Sequence, residues 1–129
     1  MQFPEPVSRN EDLVRYIFDQ RKIRASDHSA KYQNFLPPSG KTEISVYRAS
    51  GIEHEEIVSI GDKYVGAARG QPVLAYALTK AASYIDNELF FVPTELPHPR
   101  HVNVFGLADH AANIQKAQKL SAASILRDR

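Results

Sequence analysis

Cysteine is absent from the chain, which excludes disulfides, thiolate-held zinc and any cysteine nucleophile. An excess of one charge is lacking too: 16 Lys and Arg stand against 15 Asp and Glu, a formal net charge of +1. No global field therefore draws the protein to nucleic acid or membrane, and any anion must be met by a local patch. Apolar residues nowhere run together for about 18 positions, so no membrane span is expected. Met1–Pro6 lacks the basic region and apolar run of a secretion signal, and the expected location is the cytoplasm. There is no internal repeat, no low-complexity tract, no Walker loop and no G-x-G-x-x-G. Ser45 and Ser50 stand outside any G-x-S-x-G, so serine hydrolysis is not expected.

What is present suits one core. The 129 residues, 43% hydrophobic and 24% charged, predict a single globular domain over 1–129, with 1–8 as an extended N-terminal arm. Ser8 and Glu11 have capping-box spacing, which predicts a helix over about Arg9 to Gln20 that buries Leu13, Tyr16 and Ile17. Lys31–Leu36 reads as a strand closed by the turn Pro37-Pro38-Ser39-Gly40. Glu43–Ala49 reads as a second strand, with Ile44, Val46 and Arg48 on one face and Ser45, Tyr47 and Ala49 on the other. A second capping box, Ser50 to Glu53, precedes a helix that buries Ile57, Ile60, Tyr64 and Ala68 and ends near Arg69-Gly70. Val73–Leu78 reads as a central strand, Thr79–Ile85 as a short helix, and Leu89–Val92 and Arg100–Leu107 as strands. Asp109 then caps a last helix, about His110 to Leu126, with Ile114, Ala117, Leu120 and Ile125 inward. The expected class is α+β, a mixed or mostly antiparallel sheet of about five strands with three main helices.

The densest chemistry lies in Pro97-His98-Pro99-Arg100-His101-Val102-Asn103-Val104. Two prolines fix the backbone entering it. The alternation that follows puts His101, Asn103 and Phe105 on one face of a strand and Val102 and Val104 on the other. An arginine fork matches phosphate or carboxylate, a histidine donates, accepts or shuttles a proton, and an asparagine orients. Arg48, Arg100, His101, Asn103 and His98 are thus candidate ligand-binding residues, with His101 the candidate acid or base. The competing reading is a buried polar network, or an ion pair with a helix carboxylate such as Glu55 or Glu56. The basic run Arg21, Lys22, Arg24, His28 and Lys31, near Tyr32 and Phe35, is a candidate surface for nucleic acid or an acidic partner. His98 and His101 are three apart, on opposite faces of an extended chain, so no metal site is expected.

The blocks Phe35–Pro38, Ser45–Arg48, Gly51-Ile52, Glu55–Ile57 and Pro97–Gly106 resemble a family of small bacterial proteins with a P-H-P-R-H-x-N-[IV]-x-G motif. The likeness runs from about Phe35 to Leu126. Leu107 and Ala108 stand where many members have tryptophan and proline. This resemblance implies one domain and no particular activity. Tyr47-Arg48 late in an early strand is also similar to ADP-ribosyltransferase-type domains, which use such an arginine to grip the phosphates of NAD. That likeness implies a catalytic glutamate, for which Glu88 and Glu95 are the candidates.

No nucleophile, base and orienting group form a complete catalytic set, and no cofactor is expected. The leading expectation is a small cytoplasmic binding or accessory module that works beside a protein partner and carries an anion pocket. A phosphate-directed enzyme acting on nucleotide or RNA is the alternative from another class, and a nucleic-acid-binding protein using the 21–31 loop is a third.

Overall fold

Asp12–Ile17 is a strand, β1, and not the expected helix. Leu13 and Ile17 bury into one core while Val14 and Tyr16 bury into another. A strand covered on both faces reads as a nearly continuous apolar run, and its spacing then mimics a helical face. The Ser8–Glu11 contact does form, with Ser8 N donating to Glu11 Oε2 at 2.7 Å. It closes a turn with Glu11 N on Ser8 O at 3.2 Å.

The computed structural model describes residues 5–94, 96–107 and 110–129, with 110–112 as backbone only. After β1 come two-residue strands β2 (Ile23–Arg24) and β3 (Ser29–Ala30), paired as a separate ribbon. Tyr32–Phe35, expected within a strand, is a 3-10 turn that buries Asn34 and Phe35. Strand β4 (Glu43–Arg48) leads to helix α1 (His54–Gly61), which continues through a π-helical turn, Asp62–Gly66, into α2 (Ala67–Arg69). Strand β5 (Ala75–Lys80), helix α3 (Ala81–Asp86), strands β6 (Phe90–Pro93) and β7 (His101–Phe105) and helix α4 (His110–Ala123) follow. The expected cap Asp109 lies outside the described residues. The chain then returns as strand β8 (Ile125–Asp128), where the expected helix would have continued. Ile125 is consequently 56% exposed and not turned into the core.

The fold is α+β. One antiparallel sheet of six strands, one more than expected, runs in the order β6-β7-β4-β1-β5-β8. Helices α3 and α4 and the 3-10 turn cover one face, packing Tyr84, Leu120 and Phe35 on Leu13, Ile44 and Val102. Helix α1 covers the other, packing Ile57 and Ile60 on Val14, Tyr47 and Tyr76. The approach of α1 is close: a Cβ at Gly61 would stand 2.5 Å from the Tyr16 ring and 2.6 Å from Val73. The π-helical turn inserts an extra residue, so Tyr64 swings out to 42% exposure instead of continuing the buried stripe. The Ser50 hydroxyl is not a helix cap; it accepts from Asp12 N at 2.7 Å, and α1 begins without a side-chain cap. Among the described residues no helix is long and apolar enough to cross a membrane.

Candidate functional site

Strands β4 and β7 set the geometry. Their register places Tyr47 opposite His101, Ser45 opposite Asn103 and Glu43 opposite Phe105. These side chains share the sheet face expected for them, since Ile44, Val46, Val102 and Val104 fill the core on the other face. The Tyr47 and His101 rings meet edge to face at 5.3 Å. Burial pushes the Tyr47 phenol up to about 12.

The proline-rich turn before β7 is tied to the end of β4. Arg48 N donates to Arg100 O at 2.9 Å, and Arg100 Nη1 donates to Arg48 O at 3.2 Å. His101 N donates to His98 O at 2.9 Å, and Arg100 N donates to His98 Nδ1 at 3.1 Å. An accepting Nδ1 puts the proton of neutral His98 on Nε2. Its ring stands edge-on to Tyr64 at 4.7 Å. Burial lowers the pKa of His98, the nearby Arg100 adds to this, and Glu56 opposes it.

His101 is 7% exposed, and its Nδ1 lies 2.6 Å from Thr94 Oγ1. The Thr94 hydroxyl is also 2.7 Å from Leu96 O, which can only accept. One arrangement satisfies all three atoms: Thr94 donates to Leu96 O and His101 donates from Nδ1 to Thr94. Nε2 is then a bare acceptor. Burial lowers the His101 pKa as well, which favours this neutral ring.

Arg48 requires a correction. It lies on the opposite face of β4 from His101, 1% exposed, with Nε and Nη2 donating to Glu11 at 2.8 and 3.1 Å. Its carboxylate partner comes from the segment before β1, not from α1. The expected convergence of Arg48 and Arg100 with His101 on one cavity is not formed. Arg48 is equally unable to grip NAD phosphates from that position. Of the two candidate glutamates, Glu88 sits in a turn with φ of 64° and Glu95 lies outside the described residues.

A different arginine takes that place. Strands β1 and β4 pair only at Leu13↔Arg48 and Val14↔Tyr47. Beyond these two pairs the Arg15 guanidinium bridges the strands, its Nη1 donating to Ser45 O at 3.2 Å and its Nε to Asn34 O at 2.9 Å. A cavity of about 260 Å³ opens there. Arg15, Lys41 and Arg69 line it with Tyr47, Tyr64 and His101. Arg15 has no carboxylate partner among the described residues. Burial pulls its pKa down to about 10; Tyr84 opposes this and Arg69 adds to it. Lys22 is lowered in the same way, by burial first and then by Arg15 and Arg69. Arg69 itself lies over the Phe18 ring at 4.7 Å. Glu43 is the acidic residue on the wall, and its Oε2 already accepts from the Thr42 hydroxyl at 2.8 Å.

The basic run is separated by this geometry. Arg21 pairs with Asp19 at 2.9 Å, Arg24 with Asp27 at 3.5 Å and His28 with Asp128 at 2.9 Å. Lys22 joins the cationic group around Arg15, and Lys31 enters the 3-10 turn. Among the described residues no three His, Asp or Glu side chains converge to hold a metal.

Compared with known protein families, curated proteins and solved structures, the chain matches none. The notch between β1 and β4 is the feature of the fold that gathers charged side chains at a cavity. Sequence reading missed Arg15, Lys41, Arg69 and Tyr64. A signal for Arg15 was available: an arginine between Val14 and Tyr16 in an apolar run. The helical reading concealed it, because the buried face it named was Leu13, Tyr16 and Ile17.

Proposed function

We propose that this protein is a small binding module whose ligand presents a phosphate or carboxylate to the β1–β4 notch. The observation that carries this reading is Arg15, a part-buried guanidinium that among the described residues bonds only to two main-chain carbonyls and faces a cavity lined by two more cations. Removing a charge from water without a counter-charge is costly, and a cluster of like charges adds to the cost. An arriving anion offsets both. A guanidinium carries five N–H donors, and Asn34 and Ser45 occupy two, which leaves a fork for a planar or tetrahedral anion.

Work beside a protein partner belongs to the same proposal. Its support is an apolar groove of about 480 Å³ along β6, lined by Val7, Ile85, Leu89, Phe90 and Phe91. A protein that stays monomeric with every product of its neighbouring genes in size-exclusion chromatography argues against that part.

A second reading, a phosphate-directed enzyme, draws support from one atom. The bare Nε2 of His101, on a ring kept neutral by burial, is suited to accept a proton from a group held in the notch.

Calorimetry at low salt with inorganic phosphate and pyrophosphate tests the anion reading. Binding weakened by Arg69→Ala and by Lys41→Ala, both at exposed positions, and unchanged by Arg21→Ala is the expected result. No heat from either anion at millimolar concentration overturns it.

A further inference from the structure

The face of β7 that carries His101 also carries Asn103 and Phe105, and these two stand opposite Ser45 and Glu43 of the cavity wall. Helix α1 packs over β4, β1 and β5, and the β7–β6 end of this face is open. There Phe90 is 58% exposed and Val92 43% exposed, while Asn103 and Phe105 are part-buried. The Phe90 and Phe105 rings lie nearly parallel, 5.6 Å apart with 17° between their planes. Asn103 makes no side-chain hydrogen bond among the described residues, although it sits between the aromatic pair and the cavity. Strand spacing and rise put the Phe105 position about 10 Å from the Arg15 guanidinium, a reach of the same order as that between the phosphate and base of an extended mononucleotide.

We propose that the notch and this aromatic shelf form one site for a nucleoside phosphate. The phosphate binds Arg15, Lys41 and Arg69, the base stacks on the Phe90–Phe105 pair, and Asn103 reads the base edge. The inference rests on the anion reading above and adds the ligand class. Stacking a base on an aromatic ring strengthens binding by roughly tenfold. The adjacent donor and acceptor of an asparagine amide match the N6 and N7 atoms of adenine, so adenine is the preferred base.

The test is calorimetry on the full chain with inorganic phosphate, ribose 5-phosphate and adenosine 5′-monophosphate. The adenine nucleotide is expected to bind about tenfold more tightly than ribose 5-phosphate. Phe90→Ala, at an exposed position, is expected to remove most of that difference and leave phosphate binding unchanged; Asn103→Ala is expected to narrow the gap between adenine and uracil nucleotides. If phosphate binds but the nucleotide binds no more tightly than ribose 5-phosphate, this inference fails and the anion reading stands. A preference for the nucleotide that survives Phe90→Ala also overturns it. If none of the three ligands binds, both fall together.

Discussion

Arg48 and Glu11 form a two-point ion pair closed off from solvent, at 2.8 and 3.1 Å, with 1% and 5% exposure. It joins the end of β4 to the turn before β1, where Ala49 N also donates to Asp12 O at 2.9 Å. Burying both ions costs desolvation that their attraction offsets only while both are present. Glu11→Ala is therefore expected to destabilise the protein by about 3–5 kcal/mol, since it takes the two-point carboxylate away from a buried guanidinium. Joint replacement, Glu11→Leu with Arg48→Met, is expected to recover most of that loss in denaturant titration.

Gly61 supplies a second stability test. Alanine is ordinarily the better helix residue by about 1 kcal/mol. Here its Cβ would meet the Tyr16 ring at 2.5 Å, and Tyr16 is held by its hydroxyl donating to Ile57 O at 2.6 Å. Gly61→Ala is expected to reverse the propensity gain and destabilise by about 1–3 kcal/mol, read as a lower denaturation midpoint.

For His101, truncation to alanine leaves Thr94 without its ring partner and is expected to cost about 1–3 kcal/mol. Acid adds a second signature. Burial holds the His101 pKa in the folded protein below its ordinary value of 6.5, so the unfolded chain binds the proton more readily. Stability is then full above about 6.5 and falls as the pH drops from there towards the folded-state value. His98 shifts in the same direction and adds to the effect. The double variant His98→Gln, His101→Gln is expected to flatten this part of the pH–stability curve. An unaltered slope would count against the assignment.

Nucleic-acid binding through residues 21–31 is expected to be weak. With Arg21, Arg24 and His28 each beside a carboxylate, Lys22 and Lys31 are left to meet phosphates. The log–log dependence of any binding on salt should then be no steeper than about −2, where all the cations together would give about −3 to −4. A steeper slope from filter binding would restore the basic run as a nucleic-acid surface.

Where apolar and polar residues alternate along a segment, local sequence sufficed to describe it. Strand β4 and strand β7 alternate, and the assignment of Ile44, Val46, Val102 and Val104 to one face and of Tyr47 and His101 to the other follows from the two-residue period. The turn at Pro37–Gly40 and the short helix after Thr79 are local effects of the same kind; Lys41 N donates to Pro38 O at 2.9 Å in the former.

Tertiary structure decided the rest. Strand β1 is covered on both faces, so its two-residue period is lost and nothing local singles out Arg15. Strand β8 exists because β5 offers an open edge, which no property of Ile125–Asp128 announces. The sequence by itself determined which residue types are available: arginines, histidines and an asparagine on alternating strands, without cysteine. Which arginine faces the cavity was settled by packing. Glu11 draws Arg48 into the core through a contact 37 positions away, and the parting of β1 from β4 gives the open site to Arg15. Charge pairing and strand pairing of this kind act between segments distant in the chain, and a local pattern carries no record of them.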